Sequence, residues 1–126
     1  LIAFRKKHPV FWPEKEMTGM TYSKKGVPDV SYHGENAWRV PLEVSSRQLG
    51  VYYSGTDRTG EGDEDCFVAY NMHWLEHTFA LPALPRGKKW YRIASTREGI
   101  LDKAEPLDDQ KFAEVKERTI MIFSGR

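Results

Sequence analysis

Turn-forming residues interrupt this chain at short intervals, and that spacing limits what it can fold into. Between the turns lie short segments rich in β-branched and aromatic residues, some alternating apolar and polar side chains. So many short strands at close intervals are typical of an all-β domain, and we predict a two-sheet antiparallel β-sandwich. The predicted strands cover residues 30–33, 48–54, 66–72, 78–81, 89–95, 112–115 and 119–123.

A short N-terminal helix is predicted to precede this sandwich. Leu1, Phe4 and His8 recur near the helical period, and Pro9 predicts an end at about residue 8. No capping residue comes before Leu1, so we expect this helix to be the end of a longer one. Three further segments give weaker signals: residues 20–22 suggest a short strand, residues 38–44 are ambiguous, and residues 96–109 are predicted to form an acidic loop.

Composition excludes several classes of function. The 126 residues allow one domain, and a formal net charge of +1 gives no electrostatic case for binding nucleic acid or an anionic membrane. No apolar run approaches the length of a membrane span. The single cysteine, Cys66, lies in an apolar segment that predicts a buried strand. Because one cysteine cannot form a disulfide within the chain, we expect a reducing, cytoplasmic location.

The sequence predicts no catalytic residue, no metal site and no cofactor. His73 and His77 are four residues apart, but they lie between two predicted strands, and the zinc-protease order of His and Glu is absent. A solvent-facing turn explains them better than zinc. The glycine-rich acidic loop at residues 57–65 is interpreted as a solvated hairpin loop, with calcium as the weaker alternative.

Aromatic residues make up 13% of the chain and leave two interpretations open. Most of them suit the core of a β domain, and the alternation around Trp90 predicts a buried side chain. Three others lie beside polar loops, where a flat ring can stack on a sugar. The candidate carbohydrate-binding residues are therefore Trp38, Trp74 and Tyr53.

Four stretches in order along the chain resemble the C-terminal region of isoamylase-type glycogen debranching enzymes, in the α-amylase family of glycoside hydrolases. Residues 1–11 are similar to the last helix of that family's catalytic barrel, and residues 28–34 to its Asp-x-x-Trp-His-Gly-type strand, with Tyr32 in place of the common Trp. Residues 67–71 resemble its Ala-Phe/Tyr-Asn strand. Residues 79–90 resemble the Leu-Pro…Trp step that follows.

This resemblance implies an all-β C-terminal domain packed against a catalytic barrel that hydrolyses α-1,6 branch points of glycogen or related glucans. It assigns residues 1–12 to the last barrel helix, residues 13–27 to a connector and residues 28–126 to the β-sandwich. The catalytic residues would lie upstream, and the partner would be the barrel of the same polypeptide. A glucan-binding module and an unrelated sandwich for protein interaction are the alternatives.

Overall fold

The structure is a computed structural model that describes residues 1–13, 16–21, 26–40, 43, 45–55 and 64–126. Helix α1 covers Ile2–Lys7, as predicted, and a single 3-10 turn, Pro9–Phe11, follows it. Lys6 and Lys7 occupy the last turn of α1, where cations interact favourably with the helix dipole. Among the helical residues described, no segment is long and apolar enough to span a membrane.

Within the described residues, eight antiparallel strands form two sheets, which confirms the predicted all-β sandwich. The larger sheet has six strands in the order β1-β2-β3-β8-β5-β6, and the smaller pairs β4 with β7. The strands are β1 (Val30–His33), β2 (Gln48–Tyr53), β3 (Asp65–Asn71), β4 (His77–Ala80), β5 (Trp90–Ser95), β6 (Gly99–Pro106), β7 (Phe112–Val115) and β8 (Thr119–Gly125).

The core lies between the inner face of the six-stranded sheet and the two-stranded sheet. Alternation along the strands places Tyr52, Phe67 and Phe123 on this inner face, where all three are buried. Phe79 covers them from β4. Trp90 is buried as predicted, and its indole Nε1–H donates to the Pro82 carbonyl at 2.9 Å, which satisfies the ring's polar atom.

Two predictions about the elements are wrong. Residues 96–109 are not one loop, because β6 occupies Gly99–Pro106 at the edge of the large sheet. Most of its side chains are exposed, so backbone pairing with β5 holds it without a buried face. Met20 and Thr21 belong to no strand, and residue 22 lies outside the described residues. The carboxylate of Asp29 accepts the N–H groups of Thr18 and Gly19 instead, which fixes this segment as a turn.

Two buried carboxylates are explained by structural roles of this kind. Asp29 also accepts the N–H of Val30 at 2.8 Å, at the start of β1. Asp65, at the start of β3, accepts the Tyr52 hydroxyl at 3.2 Å and the Gly55 N–H at 3.0 Å, and it pairs with Lys88 at 3.1 Å. Both side chains therefore fix strand ends, which accounts for their burial.

Candidate functional site

Two of the three candidate carbohydrate-binding residues lie at the same end of the six-stranded sheet. His33, the last residue of β1, pairs with Gly50, and Gln48, the first residue of β2, pairs with Asn71, the last residue of β3. The loop after β1 and the turn after β3 therefore emerge together. Trp38 is in that loop and Trp74 in that turn.

Tyr53 lies at the opposite end of β2, about 17 Å along the strand from Gln48 at the usual rise per residue. It pairs with Val30 and Cys66, so it is remote from the two loops. Its ring is half-buried and meets the edge of Phe11 at a centroid distance of 5.0 Å. Burial raises the pKa of the Tyr53 hydroxyl above its ordinary value. The structure therefore places Tyr53 in the packing of the N-terminal segment.

Trp38 is held in a backbone conformation that tryptophan rarely adopts. Its φ of 64° lies in the left-handed region, which costs a residue with a large side chain on the order of 1–3 kcal/mol. Its backbone N–H donates to Nδ1 of His33 at 2.7 Å. The indole packs on the His33 ring at 4.8 Å and on the Tyr52 ring at 6.1 Å, and 49% of the residue stays exposed.

His33 is fully buried beneath Trp38 and its protonation state follows from its partners. A backbone N–H can only donate, so Nδ1 accepts from Trp38 and the ring proton sits on Nε2. The Nε2–H then donates to the Ser31 hydroxyl oxygen at 2.8 Å. Burial lowers the pKa of His33 from 6.5 to about 4, because the charged ring would lose its hydration. His33 is therefore neutral at physiological pH.

Trp74 is more exposed than Trp38, at 58%, but two side chains lie against its ring. His73 stacks on the indole with the centroids 4.3 Å apart, and the Arg47 guanidinium carbon lies 5.5 Å from the ring centre. A guanidinium cation near an aromatic ring is attracted by the ring's quadrupole. Trp74 is thus half-covered by the chain's own side chains.

A chain of polar contacts joins the two loops. Nδ1 of His73 lies 3.0 Å from Nε2 of His77, and Nδ1 of His77 contacts the carboxylate of Glu35 in the loop after β1. Gln48 also reaches His77, at 2.9 Å. The two histidines are half-buried in this network, whereas the sequence indicated a solvent-facing turn. In the described part of the chain, no group of three or more His, Cys, Asp and Glu residues is placed to hold a metal. Residues 57–63 of the acidic loop lie outside the described residues.

Sequence reasoning missed an open groove where β6 and β7 face each other. The space measures about 740 Å³, and Phe112 lies half-exposed on its wall. Arg92 is held there between Glu98 and Glu105 at 2.7 Å each, and Asp108 also lines the groove. The groove was missed because its wall includes β6, which the sequence indicated as loop. An amphipathic pattern in residues 99–106 would have been the signal, but that strand buries no face.

The fold places the chain in the class of antiparallel β-sandwich domains. Its buried acidic residues are structural, and its exposed tryptophans lie on loops. No protein-family profile matches the chain. Two curated proteins do, the isoamylases of Pseudomonas amyloderamosa and Pseudomonas sp. (strain SMP1), each 32% identical over 101 residues. The match covers 76% of this chain but 12% of each relative. The resemblance seen in the sequence is confirmed, and the chain is an isoamylase-type C-terminal domain.

Proposed function

We propose that this chain is the non-catalytic C-terminal domain of a debranching glycoside hydrolase, and that it stabilises the catalytic barrel of the same polypeptide. The parent enzyme would hydrolyse α-1,6 branches of glycogen or a related glucan. Similarity to isoamylases supports the debranching context. The chain spans about an eighth of the length of these relatives. The accessory role is supported by an apolar sheet face that the described residues leave partly uncovered.

This docking face is the outer face of the six-stranded sheet, which points away from the two-stranded sheet. It carries the side chains that alternate with the core residues of β1, β2, β3 and β8. Tyr32 and Leu49 are exposed there, and Tyr70, Ile120 and Ile122 are half-buried. Contiguous apolar residues on a sheet face are typical of an interaction surface.

The N-terminal segment extends this apolar surface. Helix α1 buries none of its residues, and Leu1 and Ile2 are largely exposed. The 3-10 turn after it brings Phe11 onto Tyr53, which lies on the docking face. Residues 1–11 resemble the last barrel helix, so the covalent link to the barrel would leave beside this surface. We therefore propose that the barrel covers the docking face.

The test replaces apolar residues of the docking face by charged ones in the complete polypeptide. We expect Tyr32→Glu with Leu49→Lys to lower the melting temperature of the catalytic part and to reduce debranching activity, because a buried charge would separate the two domains. Phe112→Lys is the control, since Phe112 is 49% exposed but lies on β7 of the two-stranded sheet, away from the docking face. If the complete polypeptide kept full stability and activity without this domain, the proposal would be refuted.

A further inference from the structure

Trp38 combines three features that packing alone does not require. Its backbone is in the left-handed region at a φ of 64°, its N–H is tied to a buried histidine, and about half of the residue remains exposed. A tryptophan that served only the core would be buried in an ordinary conformation. The loop instead holds the indole at the surface, in contact with the rings of His33 and Tyr52.

We propose that Trp38 is a stacking platform for the glucosyl rings of an unbranched maltooligosaccharide chain, and that His33 is the residue that positions it. The choice of glucan rests on the proposed function, because the parent's substrate class supplies the ligand. The site would let the accessory domain hold a linear segment of the same polymer that the barrel cleaves.

The chemistry of the platform fits a neutral sugar. A glucosyl ring presents an apolar C–H face that stacks on a flat indole, while its hydroxyl groups at the ring edge need polar partners. The exposed side chains of Asn36 and Arg39 flank Trp38 in the same loop and supply an amide and a guanidinium. The nearby carboxylate of Glu35 already contacts His77.

Trp38 fits this role better than the other exposed tryptophans. Trp74 stacks on His73, and the guanidinium carbon of Arg47 lies 5.5 Å from its ring centre, so the chain's own side chains cover part of its ring. Trp12, 52% exposed, belongs to the N-terminal segment and donates its Nε1–H to the Arg5 carbonyl at 3.0 Å. These two residues are therefore matched controls of similar exposure.

His33 acts through Trp38 and would not touch the sugar. Its Nδ1 accepts the N–H of Trp38, and its Nε2–H is anchored on Ser31. The backbone of Arg39 supports the same turn, because its carbonyl accepts the Gly34 N–H and its N–H donates to Asn36. Removing the imidazole acceptor would leave the Trp38 N–H without its partner and release the left-handed conformation.

Fluorine NMR of the chain labelled with fluorotryptophan tests the stacking directly. The four tryptophans give four signals, assigned by single substitutions, and the buried Trp90 reports that the domain is folded. On titration with maltoheptaose we expect a saturable shift at Trp38 and none at Trp12 or Trp90. Trp38→Ala should weaken binding about tenfold or more, Trp38→Phe should restore part of it, and Trp12→Ala should not change it.

The positioning role is tested with two His33 variants. His33→Asn keeps an acceptor near the Nδ1 position and should keep most of the affinity, whereas His33→Leu should lower it towards that of Trp38→Ala, although Trp38 is still present. If the fluorine signal of Trp90 shows that His33→Leu does not fold, Ser31→Ala is the milder test, because it removes only the partner of the His33 Nε2–H.

A Trp38 signal that does not respond to millimolar maltoheptaose overturns the proposal, as does an equal shift at Trp12, which would indicate non-specific stacking. Both results leave the docking face untouched, since that proposal depends on the Tyr32 and Leu49 variants in the complete polypeptide. Conversely, a saturable Trp38 shift would support sugar binding even if the Tyr32 and Leu49 variants left the stability and activity of the complete polypeptide unchanged. That second result would reject the stabilising role alone.

Discussion

Protonation of His33 should make the stability of this domain depend on pH in a way that one substitution removes. The ring is fully buried and neutral, with Nδ1 accepting from Trp38 and Nε2–H donating to Ser31. Its pKa is about 4 in the folded state and 6.5 when unperturbed. Because the folded pKa is the lower one, the unfolded chain binds a proton first as the pH falls, and stability is lost between pH 6.5 and about 4.

The magnitude follows from the two pKa values. Relative to neutral pH, the linkage relation gives a loss of about 2 kcal/mol at pH 5 and about 3 kcal/mol at pH 4 from this one residue. Below the folded pKa no further loss arises from His33, because both states are then protonated. For a small domain this is a large fraction of the total free energy of unfolding.

Urea unfolding at a series of pH values, compared between the wild-type chain and His33→Asn, isolates this contribution. Other ionisable groups titrate in both proteins and cancel in the difference. Asn keeps an acceptor for the Trp38 N–H but cannot titrate. We expect the free energy of unfolding of the wild type, relative to that of His33→Asn, to fall by about 2 kcal/mol between neutral pH and pH 5. A difference that stays constant over this range would refute the assignment of a buried neutral His33.

Two further substitutions test the packing around the same sheet. Gly50→Ala should destabilise the domain by about 1–3 kcal/mol, because a Cβ there would overlap the buried Phe67 ring and lie 3.3 Å from Cβ of His33. Gly125→Ala is the comparison, because the obstruction there is the half-buried Leu84 side chain. Thermal melts should show a smaller loss of stability for Gly125→Ala than for Gly50→Ala. Asp65→Asn should cost about 2 kcal/mol, because the Lys88 pairing and one of two acceptor oxygens are lost; an unchanged urea midpoint would show that Asp65 does not fix the ends of β2 and β3.

The candidate site shows where reasoning from sequence stops. Trp38 and Trp74 were identified because each lies beside polar residues, and both are exposed on loops. Tyr53 satisfied the same local criterion, but it packs on Phe11 from the N-terminal segment, a contact that no local pattern encodes. The role of His33 was also inaccessible, because the bond from Trp38 to Nδ1 exists only once the loop closes over β1.

The sequence by itself determined every described strand except β6, and the burial of Cys66 and Trp90, because alternating apolar residues report directly which side chains leave water. It did not reveal β6, whose exposed side chains carry no such signal and whose stability comes from main-chain pairing with β5. Only the tertiary structure decided that β4 and β7 separate into a second sheet, and that two tryptophan-bearing loops meet at one end of the first. These choices depend on long-range pairing, which the side-chain pattern of a single strand does not specify.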